Sequence, residues 1–443
     1  MILAAHFMPL LGFAQSIEFT HVPPIGASEL VEAKISGVNF AKYGVAMIID
    51  VFGAKWTKPL STTPNLPINV NGTFKSIYVT GGQDACAGQI FLYVVPRDYA
   101  VPVLTGQGSI PQEIEDHAVA KAVADRLGSG QEITFAGRAW GIKDTGACIW
   151  GPGPNHFSGR NVRVDNQGKL HLLISNTNGV WYCPEIILKD SLGYGTYRFS
   201  IDSDVRDLPG PIVVGCFTYD DDPAFSHREM DFEFSNGDVV GRNAPWQFVV
   251  QPYFASGQRF RYKAPTVSKS SAYSLTWLPA TASFASYDAQ PSYLGTYEST
   301  YSLQWKIEPA RGKWFDLKPF TATTSMPTNW VVTDRSGSYN SRYFRTQLTG
   351  LYEVTDRPPV VRWTAMSGVP PKGNEKVHIN MWLFNGLSPG NPDETYEVVV
   401  SDFQFKPISV DLNSLRPGLK VLDLRNPHSI DEELSLRVSL PAE

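Results

Sequence analysis

The sequence predicts an all-β protein in which a β-jelly-roll sandwich follows a smaller β-sandwich domain. Short apolar or alternating runs recur along the chain and are separated by turn-forming residues, which is typical of a sandwich or jelly roll. The 37 glycines and 33 prolines supply these turns, and only 18% of the residues are charged. Because 443 residues exceed the usual size of one domain, two or three domains are expected.

One predicted strand alternates strictly, at residues 229–234, with the sequence Glu-Met-Asp-Phe-Glu-Phe. Successive side chains of a strand point to opposite faces of the sheet. The apolar side chains of this strand therefore face a hydrophobic core. Three carboxyl groups share the other face, those of Glu229, Asp231 and Glu233.

Three neighbouring carboxyl groups on one strand suit a retaining glycosidase. Side chains on one face lie roughly 6–7 Å apart along the strand, so repulsion raises the pKa of at least one carboxyl group. Such an enzyme uses one ionised and one protonated carboxyl group, about 5–5.5 Å apart. The backbones of Glu229 and Glu233 are roughly 13 Å apart on a flat strand, so the two can cooperate only across a curved, concave sheet. The alternative is an acidic strand that faces solvent, and the hexapeptide alone leaves both open.

Composition argues against several classes of function. The net charge of −5 and the lack of a basic block argue against a nucleic-acid partner. No apolar run reaches the roughly 18 residues that a membrane span needs. Four cysteines allow three disulfide pairings, and their spacing does not choose among them. Without a CxxC motif or a His/Cys cluster, the sequence predicts no metal site.

The amino-terminal third divides into three predicted parts. Residues 1–15 are apolar and end in small residues, which indicates the remnant of a signal peptide and therefore secretion; a buried strand is the alternative. Residues 16–110 predict a small β-sandwich accessory domain, either a spacer or a carbohydrate-binding module with Trp56 as its aromatic platform. Residues 111–130 predict a linker helix, because Ile114, Val119, Val123 and Leu127 recur at near-helical spacing before Gly128.

The remainder, residues 131–408, predicts the larger β-domain, and seven of its segments follow a known order. They are 148–150 (Cys-Ile-Trp), 182–185 (Tyr-Cys-Pro-Glu), 193–197 (Gly-Tyr-Gly-Thr-Tyr), 217–219 (Phe-Thr-Tyr), 229–234, 273–277 (Tyr-Ser-Leu-Thr-Trp) and 379–382 (Ile-Asn-Met-Trp). Together they resemble the family 16 glycoside hydrolases, and most closely the bacterial lichenases, which are endo-β-1,3-1,4-glucanases. The resemblance covers roughly residues 135–407.

The resemblance implies a concanavalin A-like jelly roll with a cleft on its concave face. It implies that Glu229 is the nucleophile and Glu233 the general acid/base of a glycoside hydrolase that cleaves O-glycosyl bonds. Asp231 would lie between them and tune both through a proton or a hydrogen bond. No cofactor is needed for this chemistry, and a monomer is expected.

The resemblance also assigns residues that bind substrate. Glu185 and Asn380 would form hydrogen bonds with sugar hydroxyls, Trp382 would stack on a sugar face, and Tyr219 would line the cleft. A core tryptophan and an ordinary strand-end tyrosine are the alternatives for the last two. His227 stands where lichenases carry a tryptophan near the nucleophile, either as a group that titrates near neutral pH or as an ordinary surface histidine.

The resemblance further implies a disulfide between Cys148 and Cys183, with Cys86 and Cys216 as free thiols; four buried thiols are the alternative. Relative to compact lichenases the chain has an insertion at 289–360, which would either reshape the cleft with aromatic loops or cap a sheet edge with strands. A C-terminal extension at 409–443 lies beyond the resemblance.

Three functions follow. The first is a secreted retaining endo-β-glycosidase that cleaves a β-glucan-type polysaccharide through a glycosyl-enzyme intermediate. The second is a family relative that acts on another polysaccharide, such as a β-1,3-glucan, a galactan or xyloglucan. The third is a non-catalytic carbohydrate-binding surface protein, although a pure binder has no need for three adjacent carboxyl groups.

Overall fold

The computed structural model describes residues 14–407, except for 60–63, 129, 237–245, 264–269, 279–280, 290, 292, 310–314, 323–329, 336–341, 356–357 and 366. Between residues 293 and 355 it describes the backbone of the strands. The predicted signal peptide lies almost wholly outside the described residues, and the extension at 409–443 lies entirely outside them. In the described part of the chain, no helix is both long and apolar enough to cross a membrane.

The described chain is built almost entirely of strands. Among the described residues, the first half contains one α-helix, α1 (Gln112–His117), and the strands β1 (Ser16–His21), β2 (Val31–Ser36), β3 (Tyr43–Val51), β4 (Ala54–Lys58), β5 (Leu66–Pro67), β6 (Thr73–Ser76), β7 (Gln89–Pro96), β8 (Thr105–Gln107), β9 (Ala120–Asp125), β10 (Gln131–Phe135), β11 (Arg138–Ile142), β12 (His156–Phe157), β13 (Val162–Val164), β14 (Leu170–Thr177), β15 (Val180–Cys183), β16 (Glu185–Leu188) and β17 (Gly195–Ile201). The second half contains β18 (Ile212–Tyr219), β19 (Met230–Ser235), β20 (Trp246–Val250), β21 (Arg259–Tyr262), β22 (Ser271–Leu278), β23 (Thr281–Tyr287), β24 (Tyr293–Pro309), β25 (Phe315–Ala322), β26 (Trp330–Arg335), β27 (Arg342–Thr355), β28 (Val361–Ala365), β29 (Lys376–Leu383) and β30 (Tyr396–Pro407).

The chain divides into two compact units. The first comprises residues Met1–Ile133, Gly141–Arg160 and Val180–Pro184, and the second comprises Thr134–Trp140, Asn161–Gly179 and Glu185–Glu443. In the first unit, β1, β2 and β6 form an antiparallel sheet, and a second sheet has the order β8-β4-β3-β7-β9, with β5 paired to β3. Buried side chains of both sheets meet in one cluster that includes Val31, Ile35, Met47, Ile49 and Leu92. This confirms the predicted small β-sandwich.

The predicted linker helix at 111–130 is wrong beyond its first turns. Helix α1 ends at His117, and β9 pairs antiparallel with β7. Ala122 and Ala124 of β9 pack on the core, whereas Val123 is 43% exposed. The period-two pattern of small residues prevails over the helix-like spacing because the edge of β7 supplies backbone hydrogen-bond partners. The predicted boundary at residue 110 therefore falls inside the first unit.

In the second unit two antiparallel sheets pack face to face. Six strands of the sheet that we call the acid sheet have the order β16-β29-β18-β19-β20-β21. Six strands of the second, the backing sheet, have the order β14-β30-β17-β22-β23-β28. Phe232 on β19 contacts Phe199, Tyr273 and Phe284 of the backing sheet, with ring centroids 5.2–5.9 Å apart. These contacts confirm the predicted sandwich and place the apolar side of β19 in its core.

The region predicted as an insertion, residues 289–360, contains a sheet of its own. Strands β24 to β27 form an antiparallel sheet in the order β25-β24-β27-β26. The aromatic residues predicted to reshape the cleft have side chains outside those described, so that role stays a prediction.

The disulfide joins Cys86 to Cys148, so the predicted pairing of Cys148 with Cys183 is wrong. The two Cα atoms are 5.7 Å apart, within the range that a disulfide spans. Cys183 and Cys216 are buried thiols, and Cys183 Sγ donates a weak hydrogen bond to Asn155 Oδ1 at 3.6 Å. The resemblance located Cys148 correctly but not its partner, because the first unit brings in Cys86 from a segment that the resemblance does not cover.

Candidate active site

The alternation of β19 separates a core face from an acidic face. Met230, Phe232 and Phe234 are fully buried, and Phe234 packs against Trp246 and Tyr273. The acids alternate with these residues, so their side chains lie on the face of the acid sheet that is turned away from the backing sheet. The predicted separation of three carboxyl groups from the core is therefore present.

The register of the acid sheet brings other predicted residues to the same face. Glu233 pairs with Gly215 on β18, Gly215 pairs with Asn380 on β29, and Asn380 pairs with Glu185 on β16. Directly paired residues of neighbouring strands share a face. The sheet therefore places Glu185 and Asn380 in one row with Glu233, across four strands.

A second row runs beside the first and contains a residue that the sequence analysis missed. Asp231 pairs with Phe217, and Phe217 pairs with His378 on β29. The His378 ring stacks on Phe217 with centroids 4.9 Å apart. His378 lies two positions before Asn380, so strand alternation alone could have placed it on the acidic face.

Two glutamines of β20 and the loop after it contact the acids. Gln247 donates a short hydrogen bond to Glu233, and Gln251 Nε2 donates to Asp231 Oδ2 at 3.3 Å. The backbone N–H of Gln251 donates to the carbonyl oxygen of Glu229 at 3.0 Å. Amide side chains thus orient the carboxyl groups without adding charge. The sequence analysis missed both glutamines, although their even spacing on the strand after the acids was a usable signal.

Burial and repulsion raise the pKa values of Glu229 and Asp231. Burial, followed by the charge of Glu233, raises the pKa of Glu229 to about 7, while hydrogen bonds with Asp231 and Gln251 act in the opposite direction. The pKa of Asp231 lies well above its usual range, again through burial first and then through the charges of Glu229 and Glu233. Both causes favour the protonated form of Asp231, and the hydrogen bond between Asp231 and Glu229 favours the carboxylate form of Glu229.

Glu185 and Asn380 are both buried, and their predicted hydrogen bonds with sugar hydroxyls stay a prediction. They are 1% and 0% exposed. Glu185 Oε2 accepts a hydrogen bond from Asn380 Nδ2 at 3.1 Å, and Glu185 Oε1 lies 2.9 Å from His378 Nδ1. A carboxylate buried in this way needs such partners, and Glu185, His378 and Asn380 form one hydrogen-bonded group on the acidic face.

Gly215 leaves space between Asn380 and Glu233. A Cβ atom at this position would lie 2.5 Å from Asn380 Oδ1, a distance that requires a backbone or side-chain shift. A glycine inside an otherwise apolar strand often marks a close approach. That signal was present in the sequence of β18, but it was not used.

The other predicted binding residues lie at two ends of the acidic face. Trp382 shares a face with Asn380 two residues away, and it is only partly buried, unlike a core tryptophan. At the other end, Tyr219 and His227 stack in parallel with centroids 5.1 Å apart. His227 Nδ1 lies 3.0 Å from the carbonyl oxygen of Asp220. These three residues stay predicted substrate contacts.

The loop that leads into Glu229 is held by Arg228, which the sequence analysis also missed. Ser226, His227 and Arg228 all have positive φ, a conformation that costs free energy for residues other than glycine. Arg228 is 8% exposed, and its guanidinium group forms an ion pair with Asp220. Its Nε donates to the carbonyl oxygen of Pro371 at 3.0 Å. These contacts keep the strained turn in place directly before the predicted nucleophile.

Two further findings concern metal binding and the similarity of this sequence to known proteins. In the described ranges, no group of three or more His, Cys, Asp or Glu residues is arranged to hold a metal ion. No family model matches the sequence, and no curated protein matches it.

Three of the solved structures that are similar to this chain are glucanases. A β-glucanase from Bacillus licheniformis is 14% identical, with 62% of this chain and 98% of that chain covered at a TM-score of 0.37. A glycoside hydrolase family 16 endo-glucanase from Bacteroides ovatus is 11% identical, covering 60% and 94% at a TM-score of 0.36. A β-1,3-glucanase from Mycobacterium marinum is 14% identical, covering 60% and 90% at 0.32. At such low TM-scores these similarities decide neither activity nor substrate, so function is argued below from the acidic face alone.

Proposed function

We propose that this protein is a retaining endo-β-glycosidase that cleaves a β-glucan-type polysaccharide outside the cell. The observation that carries the proposal is the row of three carboxyl groups on one side of β19 and the residue before it, those of Glu229, Asp231 and Glu233. A buried aromatic core lies on the other side of the same strand. The pKa values of Glu229 and Asp231 are raised by burial and by the neighbouring carboxyl groups, and such perturbed values cluster at functional sites. The disulfide Cys86–Cys148 supports secretion, because disulfides persist in oxidising compartments.

The reaction proceeds by double displacement. Glu229 attacks the anomeric carbon as a carboxylate, while Glu233 gives its proton to the departing glycosidic oxygen. The resulting glycosyl ester on Glu229 is cleaved by water, from which Glu233 takes a proton, and both carboxyl groups return to their starting states. Asp231 stays protonated and donates a hydrogen bond to Glu229, which stabilises the carboxylate form before attack and after release.

A panel of polysaccharides tests this proposal. Mixed-linkage glucan, β-1,3-glucan, xyloglucan and galactan are incubated with the protein, and reducing ends are counted while the anomeric configuration of the first product is read by NMR. We expect release of internal fragments with retained configuration from at least one β-linked polymer. Products of inverted configuration would contradict the roles of Glu229 and Glu233. Tight binding of a polymer that is never cleaved would favour the non-catalytic alternative.

The pH dependence of activity gives a second expectation. Glu229 must be ionised to attack and Glu233 must be protonated to assist the leaving group, so kcat/KM should follow a bell-shaped pH profile. One limb of that profile should lie near pH 7, because burial and the charge of Glu233 raise the pKa of Glu229 to about 7. Gln251 lowers the pKa of Glu229, so Gln251→Leu should move that limb to higher pH. The measurement is a pH–rate profile of both proteins. A profile with neither limb near pH 7, or one that Gln251→Leu leaves unchanged, would contradict the burial argument.

A further inference from the structure

The acid sheet carries a second charged strip, parallel to the acids and two strands away. Residues 259–263 read Arg-Phe-Arg-Tyr-Lys, with cations at 259, 261 and 263 and aromatic residues between them. The aromatic side chains pack inward: Tyr262 is 8% exposed and lies 4.8 Å from the Phe248 ring, and Phe260 stacks with Trp363 of the backing sheet at 6.2 Å. The cations of β21 therefore lie on the opposite face of the strand.

Register shows that this opposite face is the acidic face. Arg261 pairs with Gln247, which pairs with Glu233 on β19. Arg259 pairs in the same way with Val249, which pairs with Asp231. Neighbouring strands lie about 4.8 Å apart, so the Cα atom of Arg261 is about 10 Å from that of Glu233. The basic residues of β21 and the acids of β19 therefore lie on the same face of the acid sheet, two strands apart.

The arginine side chains are held in place. Arg261 Nε donates to Gln247 Oε1 at 3.0 Å, and the same glutamine donates to Glu233. The Arg259 guanidinium group lies over the Tyr253 ring, 5.1 Å from its centroid. Both arginines are partly exposed, and Lys263 is exposed. Because these side chains are already ordered, they lose less conformational entropy when a ligand binds.

Charged residues on the last strand of a sheet can also serve only to block association between sheets. Such a role requires side chains that project into solvent beyond the strand. Arg261 instead reaches back across the sheet to Gln247, toward the acids. This direction favours a ligand on the acidic face over a role in solubility.

We propose that Arg259 and Arg261, assisted by Lys263, bind an anionic substituent of the polysaccharide, either a sulfate ester or a carboxylate, on a sugar close to the bond that is cleaved. The guanidinium fork matches both groups with paired hydrogen bonds. A neutral glucan offers no such group, so the preferred substrate is a β-linked polysaccharide that carries one. This inference rests on the proposed glycosidase function and narrows its substrate class.

The test compares each polymer with its own neutral form. A sulfated polysaccharide and its desulfated product form one pair, and a polyuronate and its carboxyl-reduced product form the other. Values of kcat/KM are measured for the parent, for the double variant Arg259→Gln/Arg261→Gln and for the control Arg163→Gln, an exposed arginine paired with Glu397 on the backing sheet. We expect the parent to prefer one anionic form at least tenfold, and the double variant to lose most of that preference. The control keeps it.

The outcomes separate this inference from the proposed function. Cleavage of neutral polymers with no preference for either anionic form would overturn the inference and leave the glycosidase standing. An equal loss on both members of a pair would overturn it as well. If no polymer is cleaved, the glycosidase proposal fails, and electrophoresis through gels containing each polymer still decides the binding claim. Stronger retardation of the parent than of the double variant by an anionic polymer supports it, and equal retardation refutes it.

Discussion

Replacing Glu229 with glutamine is expected to lower kcat by about 10⁴-fold or more on any polymer the parent cleaves. The amide cannot form the glycosyl ester, and it replaces the carboxylate that accepts a hydrogen bond from Asp231. The substitution keeps the size of the side chain and removes the repulsion with Glu233, so stability should be unchanged or higher. Reducing-end assays and thermal unfolding measure the two effects.

Glu233→Gln provides the matched comparison, because the two glutamates have different tasks. Loss of the general acid should cost about 10²–10⁴-fold on natural polymers. Aryl glycosides with a good leaving group do not need protonation, so their rate of glycosyl-enzyme formation should be largely restored in Glu233→Gln but not in Glu229→Gln. Glu397→Gln, at an exposed carboxylate of the backing sheet, serves as the control and should be fully active. If both glutamate variants respond alike to the leaving group, the assignment of roles is wrong.

Replacing Arg228 with methionine is expected to destabilise the second unit by about 3–5 kcal/mol, the usual cost of leaving one member of a buried ion pair without its partner. Asp220 is 7% exposed, so its carboxylate would stay buried without the guanidinium group. Activity should fall further than stability alone explains, because the turn before Glu229 loses the contact that holds its positive φ values. Denaturant unfolding and kcat at low temperature separate these effects.

The double variant Arg228→Met/Asp220→Asn should recover part of the lost stability, since it no longer buries a lone charge. Arg206→Met is the control. Arg206 also pairs with an aspartate, Asp204, but at a more exposed position, where such pairs contribute about 1 kcal/mol or less. Similar losses of stability in Arg206→Met and Arg228→Met would show that burial does not increase the contribution of the Arg228–Asp220 ion pair.

Strand alternation was enough to predict the row of three acids and the apolar core on the opposite side of β19. Residues 229–234 encode both at once, because three acids and three large apolar residues leave only one arrangement across a sheet. The pattern of a single strand could not predict burial or side-chain contacts that depend on neighbouring strands and loops. The burial of Glu185 and Asn380 follows from packing with His378, and the ion pair of Arg228 joins residues whose closeness only the folded loop creates.

Two local predictions failed for related reasons. The spacing of Ile114, Val119 and Val123 suggested a helix, but Ala120–Asp125 forms a strand because β7 offers it a pairing edge. The motif around Cys148 suggested Cys183 as its partner, but the first unit places Cys86 closer. In both cases a partner remote in sequence decided the outcome, and no local pattern records such a partner.

The path of the chain through the two units limits how the protein can be divided. Residues Gly141–Arg160 belong to the first unit although Thr134–Trp140, which precede them, belong to the second. The Cys86–Cys148 bond joins positions 62 residues apart in the sequence, and the segment between them includes Thr134–Trp140 of the second unit. The amino-terminal sandwich therefore cannot be separated from the rest of the protein by cutting the chain at one position. A fragment beginning near residue 131 would carry Cys148 as a lone thiol and would expose Trp150, which packs against Phe52 of the missing part.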